Sequence, residues 1–251
     1  MNRIELPTQS ISTSTSFTGS DHTLDVAARD TRRLVREGLS PHTTFAPMHY
    51  EPGYAYPLVV WLHSSPGTEH ELRQVMPLVS MRNYVGVAPR GTFAVPRMTN
   101  AYGWRQVPSD IEEAESRIDD CIGATQQRYN IHPDRVFLVG HGSGGTMALR
   151  VAWNNPERFR GVATIGGPMP WHLRPFRHVK QIRSLPCLLA MTRDSRGYPD
   201  DRVCDDLRLL HAAGCTVALR QYPRGDELTT VMLADLDRWL MEFVCGGGSD
   251  S

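Results

Sequence analysis

The sequence predicts an α/β domain in which a mostly parallel central sheet carries helices on both faces. Three observations lead there. Short apolar runs of strand length, such as "YPLVVWLHS" (56–64) and "DRVFLVG" (134–140), recur along the chain; stretches whose apolar residues repeat every three and four positions separate them. Buried strands alternating with amphipathic helices are the pattern of a parallel sheet covered on both sides. Finally, "VFLVGHGSGGTMALR" (136–150) runs an apolar strand through a cluster of glycines straight into strong helix formers. In open sheets of this class ligands lie beyond the carboxyl ends of the strands, so the loops there receive the functional reading.

Taken in order, residues 1–22 form a Ser/Thr-rich arm with too little apolar surface to repay ordering. Residues 23–46 are expected to be a helical segment, carried by Leu24, Val26, Ala27 and Leu34 in "TLDVAARDTRRLVREGL". The main domain is expected over 47–245, with 246–251 a flexible tail. After the strand at 56–64, "EHELRQVMPLVSMR" reads as a helix and "YVGVAPRG" as a buried strand closed by turn residues. A long helix follows, to be capped by Ser109 or Asp110, with Ile111, Ala114, Ile118, Cys121, Ile122, Thr125 and Tyr129 on one face. Beyond the glycine cluster the alternation continues through "TMALRVAWNN", "GVATIGG", "PCLLAMT", "DDRVCDDLRLLHAAG", "TVALRQYP" and "TTVMLADLDRWLMEFV". In the last of these, Met232, Leu236, Trp239, Leu240 and Phe243 form the stripe expected to face the core.

The 251 residues suffice for one sizeable core and require no second domain. Lys plus Arg and Asp plus Glu are balanced at 27 each, so no global field favours nucleic acid or an anionic surface. The five cysteines are odd in number, widely spaced and without a CxxC pair, which suits reduced structural thiols and no zinc site. The opening "MNRIELPTQSISTSTSFTGSD" lacks the apolar core of a signal peptide, and no run approaches a membrane span. A cytoplasmic protein is expected.

The glycine cluster fits the strand–turn–helix context in which a nucleophilic serine stands within G-x-S-x-G. Two registers compete. With Ser143 at the tip, the positions two before and two after are His141 and Gly145, and the imidazole is too large for the close strand–helix packing. With Gly142 at the tip the flanks are Gly140 and Gly144, both small. The tip of such a turn takes positive φ, which glycine adopts without strain, but glycine carries no side chain to attack a carbonyl. The second register therefore favours stability over chemistry.

From about Leu58 to Phe243 the chain resembles the phospholipase/carboxylesterase family of α/β-hydrolases, which includes bacterial carboxylesterases and acyl-protein thioesterases. The matching stretches are "PLVVWLHSSPGTE", "VGVAPRG", "DRVFLVGHGSGGTMALRVA", "PCLLAMTRD" and "LRQYPRGDEL". The resemblance implies an α/β-hydrolase fold. It puts Gly142 where the family carries its nucleophile, Asp194 where it carries the triad acid, and Asp226 where it carries the triad histidine. The family's "LHG" oxyanion motif reads "LHS", with Ser64 in place of glycine.

A triad needs a histidine that takes and returns a proton, and an aspartate cannot fill both roles. Asp226 otherwise reads as a solvated turn residue, Asp194 as a vestigial acid or a polar loop residue, and Asp200 and Asp201 as caps of the following helix. Ser143 would contribute its backbone N–H to an oxyanion hole, with its hydroxyl at a helix start. His63 is expected to shape the oxyanion loop, His141 to pack beneath the turn, and His211 to complement a helix C-terminus. Tyr102 and Trp104 either line a pocket for an apolar ligand or fill the core.

These readings predict a carboxylesterase-type protein impaired in catalysis that keeps a pocket for a small-molecule ester or acyl ligand. A protein partner is compatible with it, and no cofactor or metal is implied. Two alternatives stay open: hydrolysis by Ser143 in an altered turn, and acid–base or metal-assisted chemistry by Asp194 and Asp226.

Overall fold

The computed structural model describes residues 40–170, 179–193, 195–223, 225 and 227–245. In chain order these give β1 (His42–Phe45), β2 (Tyr56–Leu62), a 3₁₀ turn (Glu69–Glu71), α1 (Leu72–Val79), β3 (Val85–Pro89), β4 (Phe93–Ala94), β5 (Tyr102–Gly103), α2 (Pro108–Arg128) and β6 (Ile131–His141). They continue with α3 (Ser143–Asn154), a 3₁₀ turn (Pro156–Arg158), β7 (Gly161–Ile165), α4 (Val179–Ile182), β8 (Cys187–Thr192), α5 (Asp200–Ala213), β9 (Val217–Tyr222) and α6 (Thr230–Cys245).

Seven of the described strands form one sheet in the order β1-β3-β2-β6-β7-β8-β9. All neighbours run parallel except β1, which is antiparallel to β3 at the edge. The central position of β2 explains its unbroken apolar run. Leu58, Val60 and Leu62 enter the core on one face, while Val59 and Trp61 enter the core on the other, as the two-residue period of a strand requires. β6 divides in the same way, with Val136 and Leu138 on the first face and Phe137 and Val139 on the second. At the far edge β9 buries only Tyr222 fully.

The first core takes Ile111, Ala114, Ile118 and Cys121 of α2, Met147, Leu149 and Val151 of α3, and Val203 and Leu210 of α5. The second takes Leu72, Val75, Met76 and Val79 of α1 and Met232, Leu236, Trp239 and Leu240 of α6. Helices thus cover both faces. The described cysteines are all free thiols; burial raises the pKa of Cys121 and pushes that of Cys187 up to about 12, which keeps both protonated and inert.

Three expectations are corrected. Residues 42–45, expected within a helical segment, form β1, whose short "HTTF" shows its strand character only through pairing with β3. Residues 1–39, covering the arm and most of that segment, lie outside the described residues, as does 246–251. Neither Ser109 nor Asp110 caps α2: the helix starts at Pro108 with Val107 as its cap residue. Proline's fixed φ and missing N–H suit the first turn, and Asp110 instead receives two bonds from Arg105, at 2.6 and 3.2 Å. Asp200 and Asp201 also fall inside their helix, after Pro199. There they favour the helix dipole without capping, as His211 does in the last turn.

Candidate functional site

Between the end of β6 and the start of α3 stands a single residue, Gly142, with φ 54° and ψ −123°. Its N–H donates to Ile165 O (2.8 Å) and its carbonyl accepts from Thr146 N–H (3.2 Å), which ties the turn to β7 and to its own helix. Packing around the turn is backbone against backbone. A Cβ built on Gly140 would lie 2.4 Å from Gly144 C, one on Gly144 2.3 Å from Leu62 O, and one on Gly145 2.2 Å from Thr164 Oγ1. A Cβ on Gly142 would meet only the Ser64 Cβ, at 3.6 Å. Side chains are therefore barred at 140 and 144 and sterically free at 142, where the backbone alone asks for glycine.

Ser143 is the first residue of α3, and its Oγ is buried without a hydrogen-bond partner among the described residues. No ring of a described histidine bonds to it. His63 is fully buried; its Nδ1 donates to Ser64 O (2.7 Å) and its Nε2 accepts from Gly91 N–H (3.0 Å). Burial lowers its pKa, outweighing the Ser64 bond. The ring is thereby held neutral with both nitrogens committed to backbone, the arrangement of a loop brace and not of a proton carrier.

Trp104 is buried in the first core, with its indole N–H donating to His63 O (2.9 Å). Of its two readings, core filling is what the packing supports. Tyr102 bridges the loops through backbone bonds with Gly67, and the Arg90 guanidinium stacks 4.7 Å above its ring. Arg90 in turn grips the buried Glu69 carboxylate through Nε and Nη2. Burial pushes the Glu69 pKa up, but the Arg90 bonds and charge prevail and hold it below the ordinary value.

Glu71 escaped the sequence reading. Its Oε1 accepts from Trp61 Nε1 (2.9 Å) and lies 3.9 Å from His141 Nδ1, while Oε2 accepts from Ser64 Oγ (3.4 Å). Burial raises its pKa against the pull of Trp61 and Ser64. The available cue was "TEHE", since Thr68 and Glu71 have the spacing of a capping box. Thr68 does cap, accepting from His70 N–H, but the Glu71 carboxylate turns inward and joins Ser64 and His141 beneath the glycine turn. The structure thus gathers Ser64, His141, Gly142 and Ser143 at the ends of β2 and β6. Asp194 and Asp226 lie outside the described residues. The strands that precede them, β8 and β9, are neighbours paired to their ends at Thr192 and Tyr222.

No protein-family model matches the chain. The carboxylesterase of Bacillus cereus superposes with a TM-score of 0.67 at 13% identity, over 85% of this chain and 99% of that one. The chain has the α/β-hydrolase fold. Two further α/β-hydrolase neighbours are SOBER1 of Arabidopsis thaliana (TM-score 0.60, 19% identity, 76% of this chain and 100% of that) and YahD, solved with malic acid (0.64, 14%, 82% and 100%). In sequence, NocK of Nocardia uniformis subsp. tsuyamanensis, named as a candidate esterase, is 31% identical over 124 residues, 45% of this chain. The chain spans about a third of that relative's length (33%). Among the described residues of this α/β-hydrolase-fold chain, no helix is long and apolar enough to cross a membrane.

Proposed function

We propose that this chain is a carboxylesterase-like α/β-hydrolase in which serine hydrolysis is lost and a pocket for a small ester or acyl ligand is retained. One observation carries the reading: the residue with φ 54° at the strand–helix turn is Gly142, and the space where its side chain would project is open. A nucleophile carried there would have room to project, and glycine offers none. The engagement of both His63 nitrogens by backbone supports the same reading, because the loop histidine then has no nitrogen for proton transfer. So does the sequence at 226, where an aspartate stands in the position of the family's histidine.

The competing reading, hydrolysis through Ser143, draws on its hydroxyl having no hydrogen-bond partner. A nucleophilic serine needs a base within hydrogen-bond reach, and the described histidines do not supply one to Ser143. A fluorophosphonate probe separates the two readings. Absence of labelling on the intact protein is expected; stoichiometric labelling of Ser143 would establish the competitor. Cytoplasmic residence and a protein partner belong to this proposal as expectations from the sequence alone.

A further inference from the structure

Arg150 lies on α3 seven residues after Ser143, on the same helix face and about 10 Å further along at 1.5 Å per residue. It is 2% exposed, and no carboxylate among the described residues pairs with it. Its Nη2 donates to Pro170 O (2.6 Å) and its Nε to Gln106 Oε1 (3.4 Å). Both acceptors are neutral, so Nε and Nη2 are hydrogen-bonded while the charge has no counter-ion among the described residues. Beside it, the Nε2 of the part-buried Gln106 is buried without an acceptor among the described residues. Turning the amide over would set its NH₂ against the Arg150 N–H, donor against donor, so the orientation is fixed by Arg150 itself.

A buried cation without a carboxylate partner and an unpartnered amide NH₂ therefore adjoin among the described residues. Buried polar groups are normally satisfied and buried charges normally paired. What completes both at once is an oxyanion, which accepts along the guanidinium fork and from the amide together. The strap from Gly166 to Pro170 links this place to the glycine turn. A Cβ on Gly167 would lie 2.4 Å from Gly142 O, Pro168 O accepts from Thr146 Oγ1 (2.8 Å), and Pro170 O meets Arg150.

We propose that Arg150 and Gln106 form a subsite for an oxyanion, the carboxylate or phosphate group of a small ligand. The subsite stands whether or not the turn at Gly142 catalyses anything.

The test is thermal unfolding of the full chain titrated with sodium benzoate in one arm and inorganic phosphate in another, at ionic strength matched with sodium chloride. A saturable rise in Tm in either arm is expected, with half-saturation at millimolar concentration; the responding arm identifies the source of the oxyanion. Gln106→Leu, at a part-exposed position, and Arg150→Lys, which keeps charge but loses the fork, should each raise the half-saturating concentration tenfold or more. Two results would overturn the subsite: no saturable rise in either arm, or a rise that both variants leave unchanged. In the latter case Arg150 is only a strut for the strap.

Discussion

Under the proposed function, Gly142 separates two demands on one residue: the turn needs positive φ, which glycine meets, and hydrolysis would need a hydroxyl at the same point. Gly142→Ser has room, its Cβ coming no nearer than 3.6 Å to Ser64 Cβ, so its cost is backbone strain of about 1–3 kcal/mol. Urea denaturation should show a loss of that size with the m-value unchanged. Glu71 makes a second residue-level prediction. Burial raises its folded pKa above the ordinary 4.5, so the native state keeps a proton that the unfolded chain releases. Stability then falls as pH rises from about 4.5 through the raised value, with a limiting slope of about 1.4 kcal/mol per pH unit. Glu71→Gln should flatten that decline and be the more stable protein at pH 7, as read by denaturation midpoints across the range. The register of the glycine turn was legible because Gly140, Gly142 and Gly144 answer to local sterics. Glu71 was not, because its partners Trp61, Ser64 and His141 are assembled by the sheet and not by neighbouring sequence.

Among the elements, the loops after β2 and β3 are held by ion pairing and not by secondary structure. Glu69 is 1% exposed and Arg90 is its counter-charge. Replacing Arg90 by Met leaves the buried Glu69 carboxylate with only the His70 ring, 3.8 Å away, at a cost of about 3–5 kcal/mol, measurable as a fall in the urea midpoint. The pH response of this pair is opposite to that of Glu71. The folded pKa of Glu69 lies below its ordinary 4.5, so the stability it contributes is present above that value and lost as pH falls through the lowered one. Element identity was read well where burial is two-sided, as in β2 and β6, or where a stripe is long, as in α2 and α6. It failed at β1, four residues whose strand state depends on Val85–Pro89 alongside. It failed also at the start of α2, where Pro108 does by its fixed φ what a capping side chain was expected to do.

For the whole molecule, the sheet order places the ends of β2 and β6 side by side, and that adjacency builds the candidate site. The α/β-hydrolase fold surrounds it with two apolar cores, glycines packed backbone to backbone and a loop braced by His63. Under the proposed function such a scaffold would keep its binding geometry without a reacting group, because the residues around the turn also hold the sheet and helices together. The direct measurement is turnover of p-nitrophenyl acetate by the wild-type chain beside the double variant Gly142→Ser, Asp226→His. The account predicts no release of p-nitrophenolate above buffer by the wild type and measurable turnover by the double variant. Steady hydrolysis by the wild type that disappears in Ser143→Ala would contradict it.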